Sequence, residues 1–295
     1  MRADRRRGPP GSATYALDAF RRQGCFGEAL ISAIKTAGFK PDSFLPEYGP
    51  RQYEVTVAPE EGVRAADAAV VLRELARAIA WRMDQRAIFA PMLAPDGIGN
   101  GTHVHMSLWD GEAPATHDAA GAYGISQRAA PFFAGVLAHM SAICAFTAPS
   151  VASYYRLTPG RWAPVRADIG LQDRGVALRV APVFTTSPEK PEQQFNVEFR
   201  VADASNCPYL ALGAIVWAGV DGLTRGLSLP AAGVEAPFLP RSLKAALEAL
   251  NADELTTKCW SHEAKSAYLA FKRAEIKVLE GATPEQICAR YAAVY

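Results

Sequence analysis

The chain sets four short segments of strand period among long segments of helix period, at irregular intervals, and this arrangement limits the folds open to it. In Gln52–Val57, Tyr53, Val55 and Val57 alternate with Gln52, Glu54 and Thr56. In His103–Trp109, Val104, Met106 and Leu108 alternate with His103, His105 and Ser107. Val176–Val180 and Phe195–Val201 are the other two, the latter with Phe195, Val197, Phe199 and Val201 on one face and Asn196, Glu198 and Arg200 on the other. Residues two apart on a strand share a face, so each segment has an apolar side and a side carrying functional groups. Helical spacing runs through Leu17–Ala37, Val63–Met83, Ser126–Phe146, Leu210–Leu223, Leu243–Leu250, His262–Val278 and Pro284–Tyr291. A doubly wound parallel sheet needs a regular alternation of strand and helix. Its absence predicts an α+β fold, with a mostly antiparallel sheet flanked by long helices.

Composition narrows the function classes. With 49% hydrophobic and 21% charged residues in 295, the chain has the make-up of a folded globular protein. Thirty-one basic against 30 acidic side chains leave a formal charge of +1, so no overall field draws the chain to nucleic acid or an anionic membrane. The apolar stretch Ala211–Val220 is shorter than the ~20 residues a spanning helix needs. Five widely separated cysteines without a Cys-x-x-Cys pair argue against a disulfide framework or a zinc ribbon, and point to a reducing, cytoplasmic location. Residues 1–14 carry arginines without the apolar core of a signal peptide and are expected to form a disordered tail. Residues 15–295 are expected to form one domain, with neither an internal repeat nor a break in composition.

The polar strand faces carry the chemistry. Glu54, His103 and Glu198 can converge if their strands share a sheet, and one imidazole with two carboxylates suits a divalent ion such as Mg²⁺ or Mn²⁺. Glu47, across the Gly49–Pro50 turn, is a further candidate ligand. The His103-x-His105 pair lacks the following glutamate of a cupin and the additional histidines of a metal-dependent amidohydrolase. Gly97-Ile98-Gly99-Asn100-Gly101 leads into a strand rather than a helix, which excludes the phosphate-loop and dinucleotide contexts. Its glycines instead suggest close backbone approach to a ligand beside His103. Arg156, Arg174, Arg179 and Arg200 lie in or beside the same segments. A transferring phosphoryl group spreads negative charge that arginines and a divalent ion stabilise.

Five ordered motifs then carry a family resemblance: Glu47-Tyr-Gly-Pro-Arg-Gln-Tyr-Glu54, Gly99-Asn-Gly-Thr-His-Val-His-Met-Ser107, Tyr155-Arg-Leu-Thr-Pro-Gly160, Asp173-Arg-Gly-Val-Ala-Leu-Arg179 and Asn196-Val-Glu-Phe-Arg200. With Asn206-Cys-Pro-Tyr-Leu210 and Leu239-Pro-Arg-Ser-Leu243, they resemble the catalytic domain of the glutamine synthetase family over about 15–295. The resemblance implies an ATP-dependent ligase: the γ-carboxylate of glutamate takes the terminal phosphoryl of ATP, and ammonia or a small amine displaces phosphate. By position, Glu47 and Glu54 resemble ligands of one metal, and His103 and Glu198 ligands of the second. His105 and Ser107 match positions beside the nucleotide, and Gly99, Arg156 and Arg200 match positions that hold the amino acid. Arg174 and Arg179 match those that hold the ATP phosphates and the transferring group, which makes Arg174 and Arg200 the candidate catalytic residues. Family members assemble into rings, so a homo-oligomer is expected.

The chain also departs from the family pattern. It starts after the family's small N-terminal domain and the Glu-x-Glu strand that opens its catalytic domain, so the expectation is an N-terminally incomplete catalytic domain. A truncated or non-catalytic paralogue that binds nucleotide or partner subunits is the alternative reading. Trp162 stands where ammonia-using members carry an acidic residue that helps deprotonate ammonium. Tryptophan cannot take that proton, which favours an organic amine as acceptor. Ile98 and Asn196 also replace polar and basic residues common at the family's glutamate and nucleotide contacts.

Overall fold

The computed structural model describes residues 15–184, 186–187, 189–231, 233–254 and 259–295. The expected disordered tail over 1–14 lies outside them. The residues group into two compact units, Met1–Phe89 and Ala90–Tyr295.

In the first unit, helices α1 (Leu17–Arg22) and α2 (Gly24–Thr36) precede a two-stranded antiparallel sheet of β1 (Pro41–Pro46) and β2 (Tyr53–Val57), and α3 (Val63–Arg82) follows. Leu30 and Ile34 of α2 and Ala68 and Ala76 of α3 form the core with Phe39, and Val55 and Val57 of β2 pack against it. The apolar side of the expected strand therefore does face inward, and Glu54 is exposed on the other. Helix period over Leu17–Ala37 belongs to two helices, which meet at Gln23–Gly24.

In the second unit, β3 (Val104–Met106), β6 (Ile169–Leu171), β7 (Leu178–Val180) and β8 (Val197–Phe199) make a four-stranded sheet in the order β3-β8-β7-β6. The β3/β8 and β8/β7 pairs are antiparallel and β7/β6 is parallel, which agrees with the mostly antiparallel expectation. A small hairpin of β4 (Trp109–Asp110) and β5 (Ala113–Pro114) follows β3, so the strand read over His103–Trp109 is broken in two. The sheet expected to carry Glu54 with His103 and Glu198 is corrected by the pairing: β2 bonds to β1, whereas β8 bonds to β3 and β7. The periodicity located the strand faces, but pairing partners are not encoded in a two-residue period.

Helices α4 (Ala130–Ala138), α5 (Met140–Thr147), α6 (Ser153–Arg156), α7 (Pro191–Gln194), α8 (Pro208–Arg225), α9 (Leu243–Ala252), α10 (His262–Val278) and α11 (Pro284–Val294) complete this unit. Its core joins Phe133, Ile143, Leu178, Phe199, Ile215 and Leu247. Helices α4 and α8 touch backbone to backbone: a Cβ at Gly135 would meet Ala218 O at 2.1 Å, and one at Gly222 would meet Pro131 O at 2.1 Å. Only glycine permits that approach. Ser242, Ser261 and Thr283 accept from backbone N–H groups and cap α9, α10 and α11. Among the described residues no single helix is long and apolar enough to cross a membrane.

The helix expected over Ser126–Phe146 bends by 76° between α4 and α5, at His139. The buried imidazole explains the break. Its Nδ1 lies 2.9 Å from Asp253 Oδ2 beyond α9, and its Nε2 lies 3.0 Å from Asp221 Oδ2 on α8, which also receives Arg225. The hydrogen bond to Asp253 raises the His139 pKa above its ordinary 6.5, burial opposes it, and Asp221 adds to the rise. A group raised on folding stabilises most fully below its unfolded pKa, and that contribution is lost as pH rises through the folded value. His139→Gln is therefore expected to lower the melting temperature, relative to the parent, more at about pH 5.5 than at about pH 9. Equal losses at both values would show that the charge of His139 contributes nothing.

Candidate functional site

Glu198 occupies the middle of β8, the strand flanked by β3 and β7, and the register sets His105 opposite it on one side and Arg179 on the other. Arg200, two residues on, shares its face. The segment is apolar on one side because it lines the core. Its other side is equally buried, with Glu198 2% and Arg200 3% exposed. A carboxylate at that depth requires charged partners. Arg200 Nη1 donates to its Oε1 at 2.7 Å, and Arg179 Nε donates to Oε2. His103 Nδ1 stands 3.0 Å and His105 Nε2 3.8 Å from Oε1. Burial alone would raise the Glu198 pKa, but the His103 hydrogen bond and the Arg200 charge are among the influences that hold it well below the usual carboxylate range.

His103 immediately precedes β3, and its side chain keeps 32% of its surface yet sits deep among protein atoms. Desolvation pushes its pKa down to about 4, aided by Arg200 and Arg156 and opposed by Glu198. The ring turns Nδ1 toward the Glu198 carboxylate. The expected shared face of His103 and His105 holds, since both rings address Glu198. His105 also pairs through Nδ1 with Asn196 Oδ1 at 2.8 Å, and Ser107 Oγ accepts from Trp109 Nε1 at 2.9 Å.

Arg156, on α6, is 4% exposed and donates to the carbonyls of Val201 at 2.8 Å and Arg200 at 2.7 Å. Its stem explains the glycine loop. A Cβ at Gly99 would sit 2.7 Å from Arg156 Cδ, and one at Gly101 would sit 2.8 Å from His103 Nε2 and 3.1 Å from Arg156 Nη2. The expected close approach is real, but what approaches Gly99 is a side chain of the protein itself. Arg200 further donates from Nε to Arg174 O at 3.1 Å and from Nη2 to Trp162 O at 3.2 Å. Arg174 thus reaches this cluster through its carbonyl, while its side chain belongs to an exposed residue.

Of the predicted residues, the second unit brings together His103, His105, Glu198, Arg179, Arg200, Arg156 and Gly99. Glu47 and Glu54 belong to the first unit, on the β1/β2 hairpin. Glu47 accepts from the Tyr15 hydroxyl at 3.1 Å and from the Tyr48 N–H at 3.1 Å. Glu54 pairs in register with Leu45. As donors, the His103 imidazole and the Glu198 carboxylate fit two places around a hard divalent ion. Among the described residues, no three His, Cys, Asp or Glu side chains are arranged about one ion. Sequence reasoning missed Asp203, which is fully buried three residues beyond Arg200. It lies past the strand, where no periodicity marks it.

Comparisons with known proteins bear on the family. Residues 3–291 match the model of the glutamine synthetase catalytic domain. The chain is 32% identical over 276 residues to the gamma-glutamylpolyamine synthetase GlnA3 of Streptomyces coelicolor, covering 89% of this chain and 59% of that protein. It is 30% identical to the glutamine synthetase of Methanocaldococcus jannaschii, covering 83% and 56%. A solved structure described as a novel glutamine synthase homolog superposes with a TM-score of 0.90 at 41% identity, covering 98% of this chain and 67% of that one. The chain thus spans somewhat under 60% of the length of these two curated relatives. The match over nearly all of its length places it, by catalytic domain, in the glutamine synthetase family.

Proposed function

We propose that this chain provides the catalytic machinery of an ATP-dependent carbon–nitrogen ligase that joins the γ-carboxylate of glutamate to an amine by way of γ-glutamyl phosphate, with an organic amine preferred over ammonia. The observation that carries this reading is the charge balance around Glu198: two guanidiniums, from Arg179 and Arg200, face a single buried carboxylate. The surplus positive charge is preorganised and largely shielded from water, the condition under which it best stabilises negative charge developing on a transferring phosphoryl. Arg179 and Arg174 would meet the phosphates, Arg200 and Arg156 the amino acid beside Gly99, and His105 and Ser107 the nucleotide.

Mg²⁺ or Mn²⁺ would be held by His103 and Glu198 at one site and by Glu47 and Glu54 at another. When bound, such an ion neutralises phosphate charge and polarises the phosphoryl oxygens. The preference for an organic amine draws support from Trp162, which carries no group able to accept the ammonium proton. A relative named for polyamine glutamylation supports it too. Assembly as a homo-oligomer in the cytoplasm belongs to the same reading, and the five cysteines are all free. A second reading, a non-catalytic paralogue that binds nucleotide or partner subunits, is favoured by the engagement of both Glu198 oxygens by arginine and histidine.

Phosphate release from ATP separates the two. With glutamate, Mg²⁺ or Mn²⁺ and a panel of amines that includes ammonium, the purified chain is expected to release phosphate in response to an amine, and chelation is expected to stop it. Binding of ATP without release for any acceptor would overturn the ligase reading in favour of the second.

A further inference from the structure

We propose that Asp203 is a positioning residue for Arg156: its buried carboxylate supplies the negative charge that holds the guanidinium in place across the Gly99–Gly101 turn. Arg156 needs such a partner. It is 4% exposed, and its hydrogen bonds to Val201 and Arg200 end on neutral carbonyls. A guanidinium buried on carbonyl dipoles alone leaves a full charge uncompensated.

Three observations place Asp203 near that charge, without a direct ion pair between the two side chains. Its backbone bridges to Gly101, the residue on which Arg156 Nη2 rests. Ser153, which lies three residues before Arg156 on α6 and on the same helical face, is among the groups that oppose the rise in the Asp203 pKa. The carboxylate itself is anchored at one oxygen only: Oδ1 accepts from Ser205 N at 3.0 Å and Ser205 Oγ at 2.6 Å. Its buried Oδ2 has no hydrogen-bond partner among the described residues.

The electrostatics run both ways. Burial lowers the Arg156 pKa to about 10, Asp203 opposes that fall, and Arg200 adds to it. Burial raises the Asp203 pKa, and Arg156 is the first influence against the rise. Asp203 also accepts from Asn206 Nδ2 through its carbonyl at 2.6 Å and donates its N–H to Thr147 O at 3.0 Å, so the backbone that carries the charge is fixed.

The functional consequence rests on the reading of Arg156 as a residue that holds the amino-acid substrate. Asp203→Asn keeps the shape and an oxygen for Ser205 while removing the charge. It is expected to raise KM for glutamate by at least about tenfold, with kcat within about threefold of the parent. Ser205→Ala removes the hydroxyl's bonds to Asp203 and Ser150 and keeps the charge, so its KM is expected to stay within about twofold. A KM for Asp203→Asn within that same range would overturn the proposal.

Thermal unfolding of Asp203→Asn, Arg156→Gln and the double variant tests the pair without reference to catalysis. The double variant is expected to lose clearly less melting temperature than the two single losses added together. Additive losses would also overturn the proposal. If the parent chain releases no phosphate, the ligase reading fails, while the thermal cycle still decides whether Asp203 and Arg156 act as one unit.

Discussion

Glu198→Ala is expected to cost about 3–5 kcal/mol of unfolding free energy, and to reduce amine-dependent phosphate release by more than about a hundredfold. The stability loss follows from what remains after the carboxylate is gone. Arg200, 3% exposed, and Arg179 keep their charges without the carboxylate that both address. Breaking a buried pair by deleting one member costs more than the pair itself contributes, because the surviving charge is left without compensation. Glu198→Gln separates charge from shape. It retains an oxygen for Arg200 but turns an acceptor toward Arg179 into a donor, so it is expected to fall between the parent and Glu198→Ala. Urea titrations of the three proteins measure this order. A loss below about 1 kcal/mol for Glu198→Ala would mean that water reaches both guanidiniums, as at an exposed pair.

Much of this cluster was legible in the chain because strand period reports faces. Glu198 and Arg200 interrupt an apolar alternation, and His103 and His105 do the same on β3, so their meeting required only that β3 and β8 be neighbours. The pairing of β1 with β2 was not legible. Pro41–Pro46 starts and ends on proline and reads as a turn, and β6 is a three-residue strand, too short to show any period. Helix breaks escaped for a different reason. Apolar spacing runs straight through His139, and what bends the chain there is a tertiary demand from Asp253 and Asp221 on other elements. Helix α10 was legible to both ends, since the Ser261 cap and the apolar spacing agree. Gly99 and Asp203 mark the limit of such reading. The glycine is needed by the stem of Arg156, and Asp203 bridges by its backbone to Gly101. Each of these relations joins residues that are far apart in the chain.

Trp162→Asp is expected to raise the kcat/KM ratio of ammonium over the preferred organic amine by at least about tenfold, chiefly by weakening the amine. The argument starts from the backbone. Trp162 has φ +51°, in the left-handed region, where a bulky side chain is uncommon and costs on the order of 1–3 kcal/mol. Its carbonyl accepts from Arg200 Nη2, the same guanidinium that binds Glu198, and Arg161 beside it donates to Gly97 O at 2.8 Å. These contacts hold the backbone of the turn beside the charged cluster, and Trp162 itself is 57% exposed. An indole face attracts an organic ammonium by about 0.5–2 kcal/mol, whereas aspartate offers a proton acceptor that ammonium needs before it can attack. Asparagine tolerates the left-handed region and has no titrating group, so Trp162→Asn supplies the control: it should lose the amine without gaining ammonium. An unchanged ratio in Trp162→Asp would mean that the indole does not contact the acceptor, and the preference for an organic amine would then have to come from residues outside this turn.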